Sequence, residues 1–209
     1  MSFGYGGGTA DMEYMSLTGL STGNFDSTLN TPYTQLVPRL KHNPNVGQDF
    51  NYATAVHPYT GSFYNRPQVY QRFGFNKFIY LGSKYKIIDK HRLGSSPYLS
   101  DTTAYANALR QVHARRGGQF LNLITIQNHM PFNGWYSKGV TAKTTSATLS
   151  ARQQQIETYA RGVHYTDQAA AAFKKQIDKI NKPIVWVFYG DHLPGIYPGI
   201  TDTVLLHRT

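Results

Sequence analysis

The sequence contains no cysteine among its 209 residues, which excludes disulfides, thiolate metal sites and cysteine nucleophiles together. It also lacks any run approaching the roughly 18–20 apolar residues of a membrane span, and no charged-then-apolar leader opens it. The chain itself therefore reads as having no signal or transmembrane segment. Acidic residues are scarce: 11 Asp and Glu stand against 21 Lys and Arg, for a formal net charge of +10. Such an excess favours anionic partners, whether nucleic acid, an anionic lipid surface or a polyphosphate polymer. The basic residues are scattered, with no run longer than Arg115-Arg116 or Lys174-Lys175. A nucleic-acid module concentrates its charge in a tighter stripe, so no nucleic acid is expected as a partner.

What is present points to a folded domain. The 16 Tyr and 11 Phe supply more apolar surface than a disordered chain carries, and the length suits one domain spanning 1–209 rather than two. No internal repeat occurs, and the low-complexity tracts are confined to Gly6-Gly7-Gly8 and Ala169 to Ala172.

Periodicity predicts a helix from Thr9 to about Leu20, a second short helix over Tyr33 to Leu40 despite Pro38, and a helix over Asn65 to Phe73. Ser100-Asp101 reads as the N-cap of another helix running through Val112, and a long helix covers Arg152 to Ile180, with a break expected near Gly162. Strands are predicted at Tyr52 to Val56, Phe75 to Leu81, Phe120 to Ile126 and Pro183 to Tyr189, with a surface loop over Ser137 to Ala151. The last strand is apolar nearly throughout, the mark of burial on both faces in a parallel sheet. Strands alternating with helices predict a three-layer α/β/α sandwich. In open sheets of this kind ligands bind beyond the carboxyl ends of the strands, and His57, His129 and Asp191-His192 each follow a predicted strand.

The chemistry-bearing residues fit that edge. Asp191 and His192 offer mixed oxygen and nitrogen ligation for one divalent ion, although an isolated Asp-His pair is also an ordinary surface turn. Thr9 follows glycines and opens a helix, where free N–H groups favour an anion. Its hydroxyl is a candidate phosphoryl-transfer nucleophile or, as is the more common fate of such a threonine, an ordinary N-cap. No Gly-Lys-Ser or Gly-Lys-Thr follows, which disfavours nucleotide hydrolysis. His57 supplies a donor, Phe63 and Tyr64 two aromatic walls, and Arg66 a planar fork for phosphate oxygens. His129 is either a further phosphate donor or a satisfied loop histidine.

At these residues the sequence resembles the lipoteichoic acid synthases, phosphoglycerol transferases of the sulfatase and alkaline phosphatase superfamily. The matching strings are Gly-Gly-Gly-Thr-Ala-Asp-Met-Glu-Tyr (6–14), Phe-Tyr-Asn-Arg (63–66), Phe-Gly-Phe-Asn-Lys-Phe (73–78), Asn-His-Met-Pro-Phe (128–132), Val-His-Tyr-Thr-Asp (163–167) and Tyr-Gly-Asp-His (189–192). Together, and in this order, they form a specific set. The resemblance implies an alkaline-phosphatase/sulfatase-like sandwich with a mainly parallel sheet, incomplete at both ends. It further implies Thr9 as nucleophile, and Thr9, Asp191 and His192 as ligands of Mn2+, with Mg2+ or Zn2+ as substitutes. His57, Tyr64, Arg66 and His129 would hold the glycerol phosphate group, Tyr64 standing where a tryptophan is often seen, and Phe63 joins them as a substrate-binding wall on its aromatic character.

The implied reaction moves glycerol phosphate from phosphatidylglycerol to a growing lipoteichoic acid chain through a phospho-threonine, at the outer face of the cell membrane and against its anionic surface. The resembling domains also use a metal-binding glutamate from a strand upstream of the nucleophile. Glu13, in the helix after Thr9, is not its match, and Ile196 replaces a serine four residues after the metal histidine. The alternatives are a non-catalytic remnant of such an enzyme and a hydrolase of the same superfamily.

Overall fold

The computed structural model describes residues 8–115, 117–143, 145 and 147–197. At its centre lies a three-stranded sheet of β1 (Ala53–Thr60), β2 (Lys77–Leu81) and β3 (Phe120–Leu123) in the order β2-β1-β3, with both pairings parallel. Parallel neighbours need crossovers. Helix α3 (Arg66–Arg72) follows β1, and α4 (Asp101–His113) links β2 to β3. Before the sheet come α1 (Thr9–Thr18) and α2 (Pro32–Gln35); after it come the short α5 (Ala147–Ser150) and the long α6 (Gln153–Ile177).

Alternation along the strands sorts the layers. Ala55, Phe78, Phe120 and Ile124 pack with Tyr14, Leu17, Tyr33, Val69 and Phe73 of α1 to α3. Val56, Ile79 and Leu99 form a cluster on the other face, and Leu121 and Leu123 join it to Tyr105, Ala108, Ala169 and Phe173 of α4 and α6. The result is the expected α/β/α sandwich. Ser100 caps α4 as anticipated, its Oγ accepting the Thr103 N–H at 3.3 Å. Among the described residues no helix is long and apolar enough to cross a membrane.

Several local expectations are corrected. Strand β1 does not stop at His57-Pro58 but runs to Thr60, because the ladder shifts register between His57 and Thr60 and so skips the proline that has no N–H to give. The helix expected over Tyr33 to Leu40 divides into α2 and a 3-10 turn at Val37–Arg39, since Pro38 cannot continue an α-helical ladder. β3 is shorter than expected, although the Ile124 N–H still reaches the Val56 carbonyl at 2.9 Å.

Helix α6 passes through Gly162 unbroken, because the glycine is there for space: a Cβ would lie 2.3 Å from Asn128 Oδ1. Part of the expected Ser137 to Ala151 loop is the α5 turn. Finally, Pro183 to Tyr189 is neither a sheet strand nor buried on both faces. Ile184 and Trp186 pack on the α4–α6 cluster, while Val185 is 91% exposed and Val187 72%.

Candidate active site

Helix α1 begins where Gly8 holds φ at +93°, a conformation that side chains on L residues rarely adopt. That sharp entry sets Thr9 at the first helical position, where backbone N–H groups lack helical acceptors. Gly6 and Gly7 lie outside the described residues.

Opposite Thr9 arrives the segment after Tyr189. The Thr9 hydroxyl donates to Asp191 Oδ2 at 2.5 Å and lies 3.3 Å from His192 Nε2, although 182 residues separate Thr9 from Asp191. His192 Nε2 and Asp191 Oδ2 are 3.4 Å apart. The His192 Nδ1 sits 2.9 Å from the Leu193 carbonyl, which can only accept, so Nδ1 carries a proton and Nε2 is the nitrogen that faces Thr9 and Asp191. The Asp191 carboxylate is steadied by the His192 N–H at 3.0 Å.

One carboxylate oxygen, one imidazole nitrogen and one hydroxyl oxygen thus share a corner. Donors at ~2.1 Å from one tetrahedral ion stand roughly 3.4 Å apart, close to the two longer distances here. The donor chemistry fits a divalent ion that accepts mixed N and O ligands. The anionic complement is small, since among the described residues no group of three or more His, Cys, Asp and Glu gathers at one point.

One turn further along α1, Glu13 opens a second cluster. It is 5% exposed and accepts from Arg66 Nε at 3.0 Å, from Arg66 Nη2, from the Tyr33 hydroxyl at 2.7 Å and from the Tyr70 hydroxyl at 3.1 Å. Asn122 Nδ2 donates in turn to the Tyr70 hydroxyl at 2.8 Å. Burial works against the Arg66 charge, but the Glu13 carboxylate outweighs it and holds the guanidinium pKa above its ordinary value. Both tyrosine phenols are pushed far up by burial and by Glu13.

His57 is 1% exposed and hydrogen-bonds through Nδ1 to the Ile124 carbonyl at 2.9 Å. Its Nε2, left without a proton, faces Arg66 Nη1 at 3.4 Å. Burial first, then the neighbouring guanidinium, lowers its pKa to about 3. The imidazole is therefore neutral near pH 7 and is an acceptor behind Arg66, where the sequence reading made it a donor.

The aromatic walls form a continuous surface. The Arg66 guanidinium lies 5.1 Å from the Tyr64 ring centroid, Phe63 contacts Tyr64, and Phe63 stacks on His129 at 6.1 Å. Phe63 and Tyr64 are 41% and 40% exposed. Tyr64 and Asn65 take φ values of 55° and 50° in succession. Left-handed non-glycine residues each cost about 1–3 kcal/mol and collect at functional sites.

His129 Nδ1 is 2.7 Å from the Met130 carbonyl, so Nε2 is the nitrogen left for a ligand. Tyr59 and Tyr98, which the sequence reading passed over, complete the wall: Tyr59 stacks on Phe63, and Tyr98 meets His129 edge-on. Only their aromatic character marked them. The structure thus brings Thr9, Asp191 and His192 together, and separately His57, Arg66, Tyr64, Phe63 and His129. Helix α1 joins the two groups, since Thr9 and Glu13 share a face at i and i+4.

Sequence comparison adds the family. The sulfatase family pattern matches residues 2–208. The chain belongs to the sulfatase family. It is 35% identical to the structure of the Streptococcus pyogenes phosphoglycerol transferase GacH in complex with sn-glycerol-1-phosphate, with a TM-score of 0.80 over 94% of this chain and 51% of that one. It is 29% identical over 91% of its length to a putative cyclic β-1,2-glucan modification protein of Rhizobium meliloti, and 27% identical over 89% to lipoteichoic acid synthase 1 of Bacillus subtilis. The chain spans 29% and 28% of the lengths of those two relatives. The resemblance read from the six strings is thereby borne out, as is the α/β sandwich. Among the relatives of this sulfatase-family domain are lipoteichoic acid synthases and a phosphoglycerol transferase.

Proposed function

We propose that this domain transfers glycerol phosphate from phosphatidylglycerol to the terminal hydroxyl of a growing lipoteichoic acid chain, through a phosphodiester on Thr9. The observation that carries the reading is the meeting of Thr9 Oγ1 with Asp191 Oδ2 at 2.5 Å and His192 Nε2 at 3.3 Å, one helix turn from Glu13, the carboxylate that holds the buried Arg66. In the first step the Thr9 oxygen forms a bond to phosphorus and the bond from phosphorus to the diacylglycerol oxygen breaks. Asp191 Oδ2 is the nearest acceptor for the threonine proton, and the departing diacylglycerol oxygen takes up a proton from solvent. In the second step the acceptor hydroxyl oxygen bonds to phosphorus and gives up its proton to solvent, the bond from phosphorus to the Thr9 oxygen breaks, and Thr9 takes back the proton held by Asp191.

Thr9, Asp191 and His192 would hold a divalent ion, Mn2+ first and Mg2+ or Zn2+ as substitutes, which when bound lowers the hydroxyl pKa and draws charge from the phosphoryl oxygens. Arg66 would donate to the non-bridging oxygens. His57 would contribute from behind, by accepting from Arg66. The exposed His129 and the rings of Phe63 and Tyr64 would line the glycerol side. A formal charge of +10 supports work against an anionic polymer and the anionic outer face of a cell membrane.

Fluorescent phosphatidylglycerol with Mn2+ provides the test, with peptide mass spectrometry as readout. A glycerophosphoryl group is expected on Thr9 and absent from folded Thr9→Ala. An adduct that survives Thr9→Ala would reassign the nucleophile. Release of free glycerol phosphate with no transfer to polymer or to a glucan acceptor would make the domain a hydrolase, and a folded chain with neither product would be a remnant.

A further inference from the structure

The proposed reaction gives Glu13 no part, yet it is the most completely engaged carboxylate among the described residues. Helix α1 otherwise buries Ala10, Tyr14 and Leu17, and a lone carboxylate among them would be costly to bury unpaired. Four hydrogen-bond donors answer it, on two other elements: the Tyr33 hydroxyl on α2, and Arg66 Nε, Arg66 Nη2 and the Tyr70 hydroxyl on α3, with Asn122 of β3 fixing Tyr70 from behind. Both carboxylate oxygens are engaged, so Glu13 has little capacity left for a metal ion.

The effect falls on Arg66. Its Nε and Nη2 face Glu13, and Nη1 faces the His57 lone pair at 3.4 Å. His57 is itself held by the Ile124 carbonyl at 2.9 Å. A guanidinium has five N–H donors. These contacts leave one on each terminal nitrogen without an acceptor among the described residues, although Arg66 is only 2% exposed. Buried donors find partners, and one N–H on each terminal nitrogen is the end-on fork that grips two oxygens of a phosphate.

We infer that Glu13 is a positioning residue: held by Tyr33 and Tyr70, it fixes the Arg66 guanidinium so that its end-on fork is presented to the phosphoryl group. The inference rests on the proposed function in taking a phosphate ester as the ligand. It also makes a prediction of sign. If Arg66 attracted phosphate by charge alone, removing the carboxylate beside it would tighten binding. If orientation is what Glu13 supplies, removing the carboxylate weakens binding.

Titration of the whole chain with sn-glycerol 1-phosphate, monitored by calorimetry on samples shown to be folded by near-UV circular dichroism, separates the two. Glu13→Gln keeps the shape and is expected to raise Kd about tenfold, equivalent to 1.4 kcal/mol. Tyr33→Phe and Tyr70→Phe leave the ion pair intact and are expected to raise Kd about two- to threefold each, which keeps the test decisive should Glu13→Gln not fold. In an Arg66→Lys background, which has no fork to orient, Glu13→Gln should cost no further affinity.

Unchanged or tighter binding by folded Glu13→Gln, or no binding by the parent chain, overturns the inference. Transfer from phosphatidylglycerol is followed on the same samples. Weakened binding without any transfer by the parent chain would remove the transferase reading and keep the positioning role, whereas transfer with no coupling between Glu13 and Arg66 would do the reverse.

Discussion

Two buried polar networks sit on opposite faces of the sheet, and they solve the problem of a buried carboxylate differently. On the α1–α3 face Glu13 is matched by Arg66, so charge answers charge. On the α4–α6 face Asp101, 0% exposed, has only neutral partners: Thr166 donates to its Oδ2 at 2.5 Å, and its own N–H donates to Gln127 Oε1 at 2.9 Å. Burial pushes the Asp101 carboxyl up to about 6, against the pull of its hydrogen bonds. The first network ends in unspent N–H donors on Arg66, whose partner Glu13 lies one turn of α1 from Thr9, and can act on a ligand. The second joins helix to helix, since Gln127 donates to the Gly162 carbonyl at 3.0 Å and Asn128 to Thr166 at 2.8 Å, and the atoms it leaves unpartnered, Asp101 Oδ1 and Asn128 Oδ1, are acceptors rather than donors. It ties α4, α6 and the loop bearing His129 into one block. Polarity alone does not distinguish a site from a staple; the presence of a cation with donors to spare does.

The largest expected effect breaks the first network. Arg66→Met would leave the Glu13 carboxylate buried without its counter-charge, and losing one partner of such a pair costs about 3–5 kcal/mol. Arg66→Met combined with Glu13→Gln removes both charges and should recover a large part of that loss. Urea unfolding of the three proteins measures it. A double variant no more stable than Arg66→Met would mean that the pair's value is packing rather than charge.

The pH response sharpens the contrast. Asp101, with its pKa raised from 3.8 to about 6, contributes stability that is fully present below about pH 4 and is lost as pH rises through 6. His57, lowered from 6.5 to about 3, contributes stability that is present above 6.5 and is lost as pH falls toward 3. Between about pH 4 and 6 the two slopes oppose, each near 1.4 kcal/mol per pH unit. Asp101→Asn removes one of them. Relative to the parent chain, that variant should lose about 3 kcal/mol of stability as pH falls from 7 to 4. Parallel stability profiles for the two proteins would show that Asp101 does not titrate in this window.

How much of this was legible in the sequence follows from range. The Ser100 cap, the helix entry at Thr9 and the strand over Tyr52 to Val56 are local, and they were readable. The meeting of Thr9 with Asp191 and His192 was not local, and it was reached only through the resemblance of ordered strings. Glu13 with Arg66 was missed because the partners lie 53 residues apart and no pattern links them. The one available signal was a carboxylate on the inward face of α1, between Ala10, Tyr14 and Leu17. Pro183 to Tyr189 misled for a different reason. An apolar run reports that surface must be covered without reporting by what, and among the described residues nothing covers Val185 and Val187.

The smallest expected effect tests whether the second network reaches the first. Gly162 looks replaceable, since an interior glycine weakens a helix by about 1 kcal/mol relative to alanine. Here, however, a Cβ would meet Asn128 Oδ1 at 2.3 Å and the Tyr136 ring at 3.4 Å, and Asn128 is tethered to Thr166. Overpacking of this kind costs about 1–3 kcal/mol, so Gly162→Ala should come out destabilised by about 1 kcal/mol net. Asn128 precedes His129, and moving it shifts the imidazole against Phe63. Gly162→Ala should therefore also weaken sn-glycerol 1-phosphate binding slightly, while Thr166→Val, which releases Asn128 without a clash, should weaken it less. Gly162→Ala that gains stability and binds unchanged would mean that Asn128 swings aside freely, and that the α4–α6 network holds the helices without holding His129.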